Sequence, residues 1–335
     1  MTGSRLLSGL GVALALLASG GVALVAHDLR RAGPPRSETA VVSIDEHARF
    51  AKVAHDLRRQ GLLRHAWPLI VWARLSGRDR AVHWGEYLIT TPLSPLELLA
   101  RLTAPPDALH PLTVPEGLTV RDVVSLLAGS GFGSEESFLC LLEDRRFLAS
   151  EDLPPEGAEG YLFPDTYTFP LATPQARILR GMIHRFHEVA GADFARRAAN
   201  LGLTEHQAVT LASLVEAETG REEERRLVAA VFLNRLHIGM PLQSDPTVLY
   251  GREDHDRTIT RADLHRHTPF NTYTIPGLPP TPIGNPGRAA LEAAVDPAPV
   301  DYLYFVARGD GTHQFSRTLA AHSTAVAHFQ RHDRH

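Results

Sequence analysis

The 335-residue chain is short of the residues that several chemistries require. It has one cysteine, Cys140, so no intramolecular disulfide can form and no cysteine-rich metal motif exists. Cys140 lies in the apolar run SFLCLL and reads as a small buried hydrophobe, not a reactive thiol. Lysine is reduced to Lys52, and every other basic side chain except histidine is arginine. With Lys+Arg 34 against Asp+Glu 38, the net charge is −4, which excludes a strong polyanion partner such as nucleic acid. The 18 histidines are scattered, with no HExxH or comparable pair and third ligand, so no metal site and no cofactor are expected. What the chain does have is 44% hydrophobic residues, enough for one large core or two smaller ones.

Charge is also missing from Leu6 to Ala26, a run of 21 residues. At ~1.5 Å per helical residue this is long enough to cross a ~30 Å hydrocarbon layer. A cleaved signal peptide is the competing reading, but the one clean Ala-x-Ala, at Ala13 and Ala15, lies inside the run and is too early for cleavage. The expectation is an uncleaved transmembrane helix over 6–26, after a short cytoplasmic N-terminus at 1–5. Arg5 precedes the span while Arg30, Arg31 and Arg36 follow it, so charge alone does not set the orientation. Residues 27–44, with Gly33, Pro34 and Pro35, read as a linker. VAHDLRR occurs at 25–31 and again at 53–59, with flanks that do not match, and is taken as coincidence.

From 45 to 110 the pattern is a small α/β module. Helices are predicted at Glu46–Gln60 and Trp67–Leu75, and a strand at Gly85–Thr90. Ser94 and Glu97 make a capping box, with Pro95 at the first position of a helix through Leu102. APPDALHP, at 104–111, is the domain boundary, and 111–335 form a larger α+β domain. There a strand is predicted at Leu112–Val114 and a helix at Val120–Leu127 capped by Thr119. An irregular aromatic loop is predicted at Glu151–Pro170, then an amphipathic helix at Pro174–Ala190. A helix from the charged run Arg221–Arg226, read as a solvated face, continues to Gly239. YLYFVA returns through the turn GDGT, and a final helix begins near Leu319.

Thr204–Gly251 organises the rest. Thr204 and Gln207 form a capping box, and Ala208, Leu211, Ala212, Leu214 and Val215 give the 3-to-4 spacing of a buried helix face. Glu216 and Glu218 close that run, on opposite sides of the apolar stripe, and Gly220 stops it. A carboxylate at the edge of an apolar face is held partly dry, which raises its pKa toward a useful acid. Periodicity alone is equally satisfied by two solvated glutamates at a helix end. The turn-rich loops that follow carry Gln243, Ser244, Asp245, Asn271, Thr272 and Tyr273, and the second is dense in proline, as a stiffened wall of a site would be.

EGYLFPDTY, ASLVEAETG, VFLNRLHIGMPLQSDPTVLYG, NTYTIPGLPPTPIGNPG and YLYFVARGDGTHQFS, in this order, closely resemble the MltG-type (YceG-like) endolytic murein transglycosylases. The resemblance covers nearly the whole chain. It implies a LysM-like module at 45–110 and a catalytic domain at 111–335 with a lysozyme-like catalytic helix. It implies a lyase of cell wall biogenesis and organization that cuts peptidoglycan between N-acetylmuramic acid and N-acetylglucosamine without water, leaving 1,6-anhydro ends. It also implies a single-pass protein of the cytoplasmic (inner) membrane with its catalytic part on the outer side, coupled to cell-wall synthases. An aminodeoxychorismate lyase label, which the family has sometimes carried, finds no support, because no lysine is placed for a pyridoxal phosphate Schiff base.

The family's catalytic residue matches the Glu of the Glu-Thr pair, Glu218. Glu216 is the runner-up, with a supporting role paired to an arginine such as Arg221 or Arg235. Gln243, Asp245, Asn271 and Tyr273 match family loop motifs and are candidate substrate contacts, with loop hydrogen bonding as the alternative role of each. Asp165 and Asn234 read as braces. LAAHSTAV departs from the family beside His322, where Ala321 and Ser323 stand in for a flanking acid and Asn. Two other functions stay open: a hydrolytic muramidase that adds a second carboxylate such as Asp245, and a glycan-binding scaffold for synthesis enzymes.

Overall fold

The structure is a computed structural model and describes residues 20, 21, 23–34, 40–90, 92–252 and 258–329. Most of the expected membrane span at 6–26 and all of 1–5 lie outside the described residues. Among the described residues no helix is long and apolar enough to cross a membrane. The chain divides into two compact units, Met1–His110 with Thr168–Thr173, and Pro111–Tyr167 with Pro174–His335. It is a mixed α+β molecule whose sheets, among the described residues, are three two-stranded pairs.

In the first unit β1 (Ala40–Ile44) pairs antiparallel with β2 (Gly85–Ile89), Ala40 opposite Ile89 and Ile44 opposite Gly85. Alternation puts Ala40, Val42 and Ile44 inside and leaves Val41 and Ser43 out. Helices α1 (Phe50–Arg59), α2 (Trp67–Leu75) and α3 (Pro95–Leu102) bury Leu57, Leu69, Leu98, Leu99 and Leu102 against them. The capping box at Ser94 and Glu97 is formed as the residues suggest. The first helix starts four residues later than predicted, because His47 takes a left-handed φ of 68° and Asp45 is drawn to Lys52 Nζ at 2.8 Å. Both copies of VAHDLRR are helical except for Arg31, which lies in a bend, and Leu29 and Leu57 enter the same core.

The second unit runs from β3 (His110–Thr113, of which His110 is counted in the first unit) through α4 (Val120–Gly129), α5 (Glu135–Glu143), α6 (Arg145–Ser150) and the first half of β4 (Thr166–Phe169). It continues with α7 (Gln175–Ala190), α8 (Phe194–Asn200), α9 (Glu205–Glu218), α10 (Glu222–His237), the short α11 (Pro246–Leu249) and α12 (Arg261–Leu264), and α13 (Arg288–Val295). The hairpin β5 (Tyr304–Ala307) and β6 (His313–Ser316) and the last helix α14 (Leu319–Phe329) complete it. Helices α5, α6, α8, α11, α12 and α13 and the strand β4 are additions to the sequence reading. Cys140 is exposed, contrary to expectation, because α5 turns Phe138 and Leu142 inward and leaves Cys140 on the other side.

At the centre stands α9. All eight residues from Ala208 to Val215 are buried, so the helix is enclosed on every side, not amphipathic with one covered stripe. Helices α13, α10 and α8 surround it. Thr210 and Ser213 are tolerated there because their hydroxyls donate to the carbonyls of His206 and Thr210, at 2.8 and 2.7 Å. Ser213 Oγ also accepts from the amide of Ile283 at 3.1 Å, which ties the proline-dense loop 271–287 to the helix. His206 reinforces that tie, with Nε2 3.0 Å from the Pro280 carbonyl and Nδ1 3.0 Å from the Tyr161 hydroxyl. Asn285 fixes the loop to a second segment, accepting from Leu162 N at 2.9 Å and donating to Leu118 O at 2.8 Å.

The aromatic loop at 151–170 is therefore a packing element. Tyr161, Leu162 and Phe163 are buried, and Tyr161 meets Phe186 edge to face at 4.8 Å. Gly160 makes this possible. Its φ is +91°, and a Cβ there would sit 2.6 Å from Pro282 Cγ and 2.9 Å from Val209 Cγ1.

Gly160→Ala is predicted to destabilise the chain by roughly 2–4 kcal/mol, combining left-handed strain with overpacking. Gly157, at φ +129° with open space around it, supplies the control. Denaturant unfolding of both alanine variants checks this: the Gly160 variant must lose clearly more than the Gly157 one.

Candidate active site

Helix α9 ends at Glu218, with Thr219 as an extended cap, and α10 begins three residues later. The two glutamates of ASLVEAETG face different surroundings. Glu216 is held by charge. Its Oε1 accepts from Arg225 Nη2 at 2.9 Å, its Oε2 from the amide of Gly287 at 2.9 Å, and Glu116 lies 3.6 Å from the same guanidinium. Arg225 is buried, so the run Arg221–Arg226 is not a purely solvated face. The arginine that pairs with Glu216 is Arg225. Arg221 instead donates to the carbonyls of Asp310 and Gly311, and Arg235 to those of Leu303 and Leu242, the latter two both at 2.7 Å. Three carboxylates and an arginine on converging turns were not separable by periodicity.

Glu218 is half-buried and, among the described residues, meets no cation directly. Its Oε1 accepts from the Ser244 hydroxyl at 2.6 Å. Burial pushes its carboxyl up to about 7, with the Asp245 carboxylate adding to the rise; the Ser244 hydrogen bond and the positive charges of His313 and Arg235 oppose it. The result is a carboxyl poised between acid and base near neutral pH.

Ser244 is itself fully buried in a hydroxyl cluster. Its amide donates to Thr272 Oγ1 at 2.9 Å, its carbonyl accepts from Thr247 Oγ1 at 2.6 Å, and the two threonine hydroxyls are 2.9 Å apart. The cluster crosses the two loops that the sequence marked as a stiff wall. No periodic pattern signals it; the signal was the density of Ser and Thr on adjoining turn-rich segments.

The other sequence candidates divide. Asp245 is exposed and accepts from the Tyr273 hydroxyl at 2.6 Å, so these two are brought together beside Ser244. Gln243 is exposed, on a left-handed backbone with φ 53°. Asn271 is fully buried. Its amide donates toward the carbonyls of Asp263, Leu264 and Arg266, and its Oδ1 accepts from Tyr273 N at 3.0 Å. It works as a loop brace, leaving no group to offer a substrate. Asn234 donates to the carbonyls of Val300 and Tyr302, both at 2.9 Å, and Asp165 accepts from Arg185 at 2.8 Å.

Sequence reasoning passed over two further groups, Glu224 with His313 and Glu159, and noted His322 only for its flanking residues. Glu224 and His313 form a largely buried pair at 2.7 Å that joins the start of α10 to β6. Glu159, first residue of EGYLFPDTY, is pushed up to about 7 by burial while accepting from Val120 N and the Tyr250 hydroxyl, each at 2.9 Å. His322 stacks on Tyr304 at 5.1 Å, and burial lowers its pKa. Among the described residues no cluster of three or more His, Cys, Asp or Glu is placed to hold a metal.

The YceG-like family model matches residues 42–328. The endolytic murein transglycosylase of Bacillus subtilis (strain 168) is 34% identical over 229 residues, which is 64% of this chain and 63% of the relative. That of Streptococcus pneumoniae serotype 2 (strain D39 / NCTC 7466) is 29% identical over 331 residues, 88% of this chain and 60% of the relative. The chain thus spans less than two thirds of the length of the curated relatives it matches. A crystal structure of a YceG-like protein from Listeria monocytogenes superposes with a TM-score of 0.59 at 27% identity, covering 86% of this chain and 99% of that one.

A carboxyl raised from an ordinary value of 4.5 to about 7 favours the folded state most below pH 4.5, and that advantage is gone above about pH 7. Glu218→Gln removes the titration. It is predicted to unfold at higher denaturant than the parent at pH 8, by at most roughly 3 kcal/mol, with the gap closing at pH 4. Equal gaps at both pH values would show that Glu218 is not strained by ionisation.

Proposed function

The chain belongs to the YceG-like family, and on that premise we propose that it is a membrane-anchored lytic transglycosylase acting on peptidoglycan glycan strands, with Glu218 as its one catalytic carboxyl. The observation that carries this reading is the state of Glu218: a half-buried carboxyl raised to about 7 and oriented by Ser244. The names printed for the relatives supply the substrate class.

One such carboxyl is sufficient for a cleavage that uses no water. Protonated Glu218 gives its proton to the glycosidic oxygen as the bond from muramyl C1 to that oxygen breaks, and N-acetylglucosamine leaves with a hydroxyl. The carboxylate then takes the proton of the muramyl 6-hydroxyl, whose oxygen bonds to C1 and closes the 1,6-anhydro ring. Glu218 ends as it began, protonated, and no water is consumed. A hydrolase needs a second carboxylate to activate water or to attack the sugar. Asp245 is the nearest candidate named from sequence, and its hydrogen bond to Tyr273 gives it a bracing role instead. Glu216 is neutralised by Arg225 and the amide of Gly287, which suits a support and not an acid.

Residues 6–26 are the bilayer anchor in this reading, with the catalytic unit on the outer side of the cytoplasmic membrane. Residues 45–110 form the LysM-like module, and glycan polymerases are partners. Gln243, Asp245 and Tyr273 are the exposed or part-exposed groups available for sugar contact.

Purified sacculi digested with the full chain are expected to release glycan with 1,6-anhydro ends by mass spectrometry, and Glu218→Gln is expected to release none. Reducing muramic ends would indicate a hydrolase. Glu218→Gln complementing a deletion as well as the parent would indicate a scaffold. Because the Ser244 hydroxyl holds the Glu218 pKa down, Ser244→Ala is predicted to move the alkaline limb of kcat/KM to higher pH and to lower the maximum roughly 10- to 100-fold. An unmoved limb would reduce Ser244 to a loop support.

A further inference from the structure

Helix α2 has the sequence WPLIVWARL, apolar on nearly every side. Such a helix is ordinarily covered all round. Here Pro68, Leu69 and Ala73 are buried, while Trp67, Val71, Trp72 and Leu75 are 56%, 44%, 42% and 79% exposed. At ~100° per residue, Trp67, Val71 and Leu75 fall within ~80° of arc and Trp72 flanks them, so the four make one stripe. Arg64, Arg74, Arg78 and Arg80 are exposed around it, and Asp79 is the one carboxylate between 64 and 80.

The neighbour of this stripe narrows what can cover it. Residues 23–30 are helical where described, with Leu29 buried and Val25 part-buried in the core that also takes Leu69. Asp28 Oδ1 lies 3.4 Å from His65 Nδ1, two residues before Trp67. The last residues of the uncharged run, at Val25, therefore already pack on the core of this unit, and Asp28 follows beside the N-terminal end of α2.

We propose that the α2 stripe is a membrane-interface contact. Trp67, Val71, Trp72 and Leu75 lie in the headgroup–acyl boundary of the bilayer beside the anchor, and the four arginines meet anionic headgroups. This rests on the reading of 6–26 as bilayer-spanning. Three features favour lipid over other occupants. The surface begins beside the residues that follow the apolar run. Its most exposed member, Leu75, is aliphatic, and so is Val71, where a glycan would want flat aromatic faces and hydrogen-bonding groups. A second copy docked on the same stripe would set arginines against arginines. Trp84, the remaining tryptophan, faces a cleft of about 560 Å³ lined also by Asp45, Arg49, Arg74 and Arg80, and is replaced in the test so that Trp67 and Trp72 alone report.

All three tryptophans of the chain lie in this unit, so intrinsic fluorescence reads it directly. The full chain carrying Trp84→Phe, reconstituted in phosphatidylcholine–phosphatidylglycerol vesicles with brominated acyl chains, is expected to lose about half of its emission or more. A Val71→Glu/Leu75→Glu variant of the same protein, with unchanged circular dichroism, is expected to float with the vesicles yet escape most of that quenching. Flotation without quenching in the parent overturns the interface contact and leaves the anchor standing. Failure to float overturns the anchor and this proposal with it. Two results in detergent also overturn it: loss of a dimer in the double variant, which assigns the stripe to a second copy, or protection of the two tryptophans from acrylamide by soluble glycan fragments, which assigns it to sugar.

Discussion

A carboxyl placed half out of water at the end of an enclosed helix resists ionisation, and much of the second unit is built to keep it there. Helix α9 brings Glu218 to that position only because all eight residues before Glu216 are surrounded by other helices and by the loop 271–287. The loop is held by Ser213, His206 and Asn285, so it cannot drift away and let solvent reach the helix end. Ser244 then supplies a close polar partner, at 2.6 Å. A hydroxyl can donate to a carboxylate and accept from a carboxylic acid, so it accommodates both protonation states. An arginine in its place would bind the carboxylate alone and return the group to an ordinary acid.

That contrast is visible two residues away. Glu216 has the arginine, and a helix-start amide besides, and its contacts match those of a structural anion at the joint of α9, α10 and α13. Glu116 sits near the same guanidinium and is raised by burial and by Glu216, so Arg225 serves two carboxylates at once. The separation of roles follows from helix geometry: positions two apart lie ~200° from each other around the axis, so one side chain reaches α10 and α13 while the other reaches the loop wall.

What could be read in advance followed the range of the interactions. Capping boxes at Ser94 and Thr204 and the cap at Thr119 are local, three residues wide, and were legible in the sequence; the structure adds Asp122, which makes the cap at Thr119 a box as well. Strand β2 and the β5–β6 hairpin were legible for the same reason, through alternation and the GDGT turn. The start of α1 was not, because a single left-handed residue at His47 ended the pattern. The side on which Cys140 falls was not, since SFLCLL is apolar throughout and only the packing of Phe138 and Leu142 decides it. Glu218 itself was visible as a carboxyl at a helix end, yet periodicity could not separate it from Glu216. The groups that separate them, Arg225, Gly287 and Ser244, lie nine, seventy-one and twenty-six residues from their partners.

The same distance argument explains why buried amides matter so much here. Loops 241–251 and 271–287 have few backbone partners of their own, and a buried carbonyl or amide left alone costs more than a hydrogen bond returns. Asn285, Asn234 and Arg235 act as side-chain substitutes for a sheet, each binding backbone groups of a segment remote from its own, while Asn271 binds the carbonyls of the turn just before it. A regular strand would have met the same demand but would have placed alternate side chains on a flat face. Short connections bound in this way can instead gather the Ser244, Thr247 and Thr272 hydroxyls into one cluster, from which Ser244 alone reaches the Glu218 carboxyl. Short, irregular connections beside the end of α9 are thus a condition of the site, and the side chains that bind backbone groups are what make that condition stable.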